Sequence, residues 1–86
     1  MAATTRERIA AAASEHGWTL ENQRRGMDTW QRGSKLVMVE FTERGAVNYG
    51  SLRNRGAMRP LLRVEGTGKA EKVITILSEP ANAWDR

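Results

Sequence analysis

Lys35-Leu36-Val37-Met38-Val39-Glu40-Phe41-Thr42, the connection Glu43-Arg44-Gly45, and the return Ala46-Val47-Asn48-Tyr49-Gly50-Ser51-Leu52-Arg53 form the stretch on which the fold class turns. Val37, Val39 and Phe41 recur at every second position, so they share one face of a strand whose side chains alternate across a sheet. A three-residue connection is short enough to lay the next strand antiparallel beside it. Ala46–Arg53 therefore reads as that partner, with Val47 and Tyr49 facing together.

Towards the N-terminus the same period persists. Asp28–Arg32 reads as a short strand closed by Gly33-Ser34. Before it, Trp18, Leu20 and Asn22 alternate with Thr19, Glu21 and Gln23 up to a turn at Arg25-Gly26. Two arrangements stay open here: Asp28–Arg32 as a separate strand, or as the end of a longer first hairpin arm. Further out the period becomes helical. Thr4 and Glu7 have capping-box spacing, and Ile9, Ala12, Ala13 and His16 follow at i, i+3, i+4 and i+7. Gly17 stands where a left-handed residue ends a helix, which predicts a helix over Thr5–His16.

On the C-terminal side, Gly56 and Pro60 argue against a central strand in Asn54–Glu65, while Leu61, Leu62 and Val64 offer something to bury. An ordered loop and an edge segment both fit. Thr67 then reads as the N-cap of a helix carrying Ala70, Val73, Ile74 and Leu77 on one side, with Pro80 beyond it. Trp84 follows in a tail at residues 81–86 that either packs back or hangs free. The expected architecture is α+β: a two-layer sandwich in which two helices flank, in sequence, an antiparallel meander of three to four strands, α-β-β-β-(β)-α. Both helices are expected on the face of Val37, Val39 and Phe41, within one domain spanning residues 1–80.

The chain has 86 residues, no cysteine and a formal charge of +4. Absent thiols remove disulfides, thiolate nucleophiles and cysteine-based zinc sites, and suit a reducing cytoplasm. The apolar run after Arg6 and Arg8 stops at Ser14, so no export signal is expected, and no stretch approaches the length of a membrane span. The charge is unevenly placed. Residues 53–72 hold six basic side chains (Arg53, Arg55, Arg59, Arg63, Lys69 and Lys72) against Glu65 and Glu71.

Catalytic equipment is not evident. His16 has no local nucleophile or orienting partner and suits a helix C-terminus. Gly66-Thr67-Gly68-Lys69 lacks the earlier glycine and the following Ser or Thr of a P-loop, since Arg63 and Ala70 occupy those positions. A helix start with two glycines and a lysine still suits a phosphate oxygen. Ser51 lacks the nucleophile-elbow glycine, and Glu40 and Glu43 read as solvated charge. No catalytic residue, metal site or cofactor is expected, and the chain reads as non-enzymatic.

Two resemblances add to this reading. His16-Gly17-Trp18, Trp30-Gln31-Arg32-Gly33 and Val39-Glu40-Phe41-Thr42-Glu43-Arg44-Gly45-Ala46-Val47 resemble short uncharacterised proteins of actinobacteria and their bacteriophages, over most of the chain. That likeness carries no biochemical motif and implies a cytoplasmic accessory protein. The helix–meander–helix order is also similar to the double-stranded-RNA-binding domain, which implies phosphate contacts from Lys69 and Lys72. The sequence departs from that domain by an extra strand and by a long arginine-containing insertion before the last helix.

Two binding surfaces compete. Arg53, Arg55, Arg59, Arg63, Lys69 and Lys72 are expected to position phosphates of a nucleic acid if they converge, and the tryptophans and Tyr49 would add stacking for single strands. Trp18 and Trp30 nonetheless sit in strand patterns as packing residues. The alternative is a protein partner or a homodimer. Leu36 and Met38 point opposite to Val37 and Val39, and with Leu52 they would form a second apolar face.

Overall fold

A computed structural model of the protein describes residues 2–84. It has two helices and a five-stranded antiparallel sheet in the order α1 (Thr5–Glu15), β1 (Thr19–Arg24), β2 (Met27–Arg32), β3 (Lys35–Phe41), β4 (Val47–Asn54), β5 (Leu62–Arg63) and α2 (Lys69–Ser78). The strands lie side by side in chain order. The expected α+β class holds, and the separate second strand is real. The ambiguous stretch resolves into a loop ending in a two-residue edge strand, which makes five strands rather than three to four.

Pairing fixes which residues share a face. One face carries Leu20, Trp30, Val37, Leu52 and Leu62 in one row and Gln23, Asp28, Val39 and Gly50 in the next. Both helices cover it, and the core there joins Ile9 and Ala13 of α1 to Val73, Ile76 and Leu77 of α2 through Trp18, Trp30, Val37, Val39, Leu52 and Val64. Trp84 packs against the same core, while Asp85 and Arg86 of the expected tail lie outside the described residues. Of the apolar trio Leu61, Leu62 and Val64, only Val64 is buried, because β5 is the sheet's edge.

Each helix end has an identifiable cause. The Thr4 hydroxyl accepts the Glu7 N–H, and the Glu7 carboxylate accepts the Thr4 N–H, so the capping box forms. The helix ends at Glu15, one residue before the expected His16, which is the C-cap, and Gly17 follows at φ +82°. At α2 the expected cap is corrected. Gly68, at φ +69°, holds the N-cap position without a side-chain bond, and Thr67 lies outside it.

The C-terminal ends of the helices are tied together through the sheet. The Trp18 indole N–H donates to the Leu77 carbonyl at 2.9 Å. The Arg32 guanidinium lies 4.5 Å over the Trp18 ring and donates to the carbonyls of His16 and Glu79. A cation thus sits at the negative end of both helix dipoles while satisfying carbonyls that helices leave free.

One register detail differs from expectation. Glu40 pairs with Tyr49 but Phe41 pairs with Val47, so Asn48 is an extra residue in β4. The bulge puts Val47 against the core with Phe41 and turns Tyr49 to the opposite face. Val47 and Tyr49 therefore do not face together.

Candidate nucleic-acid interface

The face turned away from the helices is read from the same pairings. Its rows across the strands are Arg24–Met27–Glu40–Tyr49, then Asn22–Thr29–Met38–Ser51–Arg63, then Thr19–Gln31–Leu36–Arg53. The row partners stand about 5 Å apart across neighbouring strands. Arginines thus occupy its margins, at Arg24, Arg53 and Arg63, all exposed.

The six cations grouped by sequence do not converge as one patch. Arg53 and Arg63 lie on this open face. Arg59, in the β4–β5 loop, lines a cleft of about 490 Å³ together with Pro60, Leu61, Leu62 and Arg63, and no carboxylate lines it. Arg55 is taken up by an ion pair with Glu21 of β1. Lys69 and Lys72 belong to the helix layer, on the other side of the sheet, and their ammonium groups donate to the carbonyls of Asn48 and Glu65. Glu71 neutralises neither lysine; it pairs with Arg8 of α1.

The second apolar face is much smaller than the sequence suggests. Leu36 is on it but 6% exposed, and Leu52 is fully buried on the opposite face because it pairs with Val37. Of Leu36, Met38 and Leu52 only Met38 remains partly accessible there, with Met27 and Tyr49 partly accessible on the same face. Leu36 lies outside the helix-side core. The Glu21–Arg55 pair links the bulge between Leu20 and Asn22 in β1 to the residue after β4.

The remaining candidates fall apart from one another. His16 caps α1. Ser51 is buried on the open face opposite Met38 and Arg63. Glu40 stands between Met27 and Tyr49. Among the described residues no group of three His, Cys, Asp or Glu side chains is placed to hold a metal ion, and no helix is long and apolar enough to cross a membrane. A second groove of about 420 Å³ runs between β5 and α2, floored by Leu62, Val64 and Ile76; Arg63 and Lys72 both line it, together with the carboxylates Glu65 and Glu71.

Sequence reasoning missed two features, one at each edge of the sheet. Arg24 joins the open face only through the β1–β2 register, which nothing local specifies. Met58 is 96% exposed at the loop, and its position between Arg55 and Arg59 was a legible signal. No acidic residue occurs between Glu43 and Glu65, so this stretch of the chain is itself cationic or neutral.

Comparison with protein-family models, with curated proteins and with solved structures gives no match to this chain. The topology differs further from the double-stranded-RNA-binding arrangement by the added β5, and Lys69 and Lys72 are engaged with backbone carbonyls.

Proposed function

We propose that the protein is a non-enzymatic module that binds nucleic acid in the cytoplasm through Arg53, Arg59 and Arg63. The supporting observation is the cleft shared by Arg59 and Arg63, which lacks any carboxylate in its lining. Two arginines lining one concavity suit a phosphate, which the planar donor fork of a guanidinium matches in geometry. Arg53, on the adjoining strand, extends the cationic margin. Contacts of this kind position a nucleic acid without reading its sequence. Lys69 and Lys72 are secondary in this reading, because release from their carbonyl partners would offset part of any gain.

Fluorescence anisotropy with labelled duplex DNA, duplex RNA and single strands, repeated over a salt series, tests it. Three neutralised phosphates give a log–log salt slope of about −2.7 on duplex DNA. Replacing Arg53, Arg59 and Arg63 together by Ala is expected to abolish binding, while Lys69→Ala with Lys72→Ala leaves most of it. No binding of any of the three probes at low salt overturns the proposal.

A further inference from the structure

Among the described residues the large apolar side chains left exposed are Leu20, Met58, Leu61 and Leu62. Three of these four fall within five consecutive positions, Met58 and Leu61 in the β4–β5 loop and Leu62 at the start of β5. Met58 is 96% exposed, whereas Leu61 and Leu62 are 46% and 37% exposed, so one side chain projects from a partly packed base. The loop is braced at both ends. The Arg55 N–H donates to the Ser34 carbonyl at 2.7 Å and the Ala57 N–H to Asn54 at 3.0 Å, while the Leu61 N–H donates to Leu52 at 2.7 Å. Pro60 fixes a further backbone angle. Met58 is thus held out by the fold at the tip of a short, stiffened loop.

We propose that this loop is a minor-groove wedge for duplex DNA, in which Met58 enters a base step and Arg59 and Arg63 hold the flanking phosphates. This rests on the nucleic-acid reading above and names its substrate. The minor groove is about 6 Å wide, too narrow for a helix but open to a loop tip. Apolar wedges, Met among them, partly unstack a step there and bend the duplex. All four cations from Arg53 to Arg63 are arginines, the side chain that minor grooves favour. The projecting apolar surface is one methionine, which matches a single base step. It falls far short of the apolar burial that a bilayer anchor needs, since even a myristoyl chain gives only marginal binding.

The test uses the full chain and a 30-base-pair A·T-rich duplex carrying a donor and an acceptor dye at its ends. Binding is followed by anisotropy and bending by energy transfer. The wild-type chain is expected to bend the duplex by about 20–90°. Met58→Ala, an exposed change that leaves the fold intact, is expected to remove most of the bend and weaken binding by about tenfold or less. Arg59→Ala is expected to weaken binding and flatten the salt slope by about one unit. If Met58→Ala bends the duplex as the wild type does, the wedge is overturned and the nucleic-acid reading stands. If no nucleic acid binds at low salt, both fail. Met58-dependent sedimentation with phosphatidylserine vesicles, without duplex binding, would assign the loop to a lipid surface and overturn the proposal.

Discussion

The Arg6 guanidinium of α1 grips the Asp28 carboxylate of β2 through two bonds, Nε to Oδ2 at 2.9 Å and Nη2 to Oδ1 at 2.5 Å. Asp28 is 1% exposed, so this pair is the electrostatic pin between helix and sheet. Nη2 also donates to the Arg24 carbonyl, and the guanidinium carbon lies 5.1 Å from the centre of the Phe41 ring. The bond to Asp28 raises the Arg6 pKa above its ordinary value. A raised value means the contribution is fully present below the unfolded pKa and fades only as pH climbs through the folded one, above the usual working range. Arg6→Ala leaves a buried carboxylate without its partner. Buried pairs broken this way cost about 3–5 kcal/mol. Because 34% of the Arg6 side chain remains in water, a loss of about 2–4 kcal/mol is expected. Urea denaturation of the variant measures it.

At Gly50 the sheet leaves no room for a side chain beneath Val73 of α2. A Cβ at that position would stand 2.8 Å from Val73 Cγ2 and 3.1 Å from Val64 Cγ2. Both valines are buried, so neither can swing into solvent. Gly50→Ala is expected to lower stability by about 1–3 kcal/mol through overpacking. In the Val73→Ala background the same substitution should cost less, and a double-mutant cycle by thermal unfolding reads that difference.

Acid weakens the first helix through Glu7. Its carboxylate accepts the Thr4 N–H at 2.8 Å, and that backbone bond, with the Thr4 hydroxyl second, holds its pKa below the ordinary value. A lowered pKa gives stability that is present above the unfolded carboxylate pKa and lost as pH falls through the folded one. Helical circular dichroism of the wild type is therefore expected to drop in that acid window. Glu7→Gln keeps a neutral acceptor for Thr4, and its acid profile should lack this step while retaining those of the other carboxylates.

Local chemistry made much of the fold legible. The Thr4–Glu7 box lies within four residues, and the Val37–Val39–Phe41 alternation needs no knowledge of partners. Pairing across the sheet was not legible. One extra residue at Asn48 reverses the face of Tyr49, and the choice depends on how β3 and β4 align, not on either strand alone. Arg6 and Asp28 are 22 positions apart, and only the docking angle of α1 brings them together. The binding surface suffered from the same limit. Arg63 and Lys69 are six residues apart in the chain, yet a turn from edge strand to helix puts the sheet between them. Met58 was readable as an apolar residue among arginines; its near-complete exposure required the braced loop.

The Glu21–Arg55 pair gives a functional prediction of opposite sign to those above. Both partners are substantially exposed, with 38% and 51% of their side-chain surfaces in water. Such a pair contributes roughly 0–1 kcal/mol to stability. It nevertheless holds Arg55 across the sheet, away from the cationic loop whose base it begins. Glu21→Gln removes the opposing charge and leaves Arg55 as a further cation beside Arg53 and Arg59. Nucleic-acid affinity is therefore expected to rise at low salt, with a salt slope steeper by about 0.9 on duplex DNA. Arg55→Ala should leave affinity near the wild-type value, because in the wild type that side chain is already engaged. Anisotropy titrations of both variants across the salt series measure this. A weaker-binding Arg55→Ala would show that the ion pair opens in the complex and that Arg55 belongs to the interface.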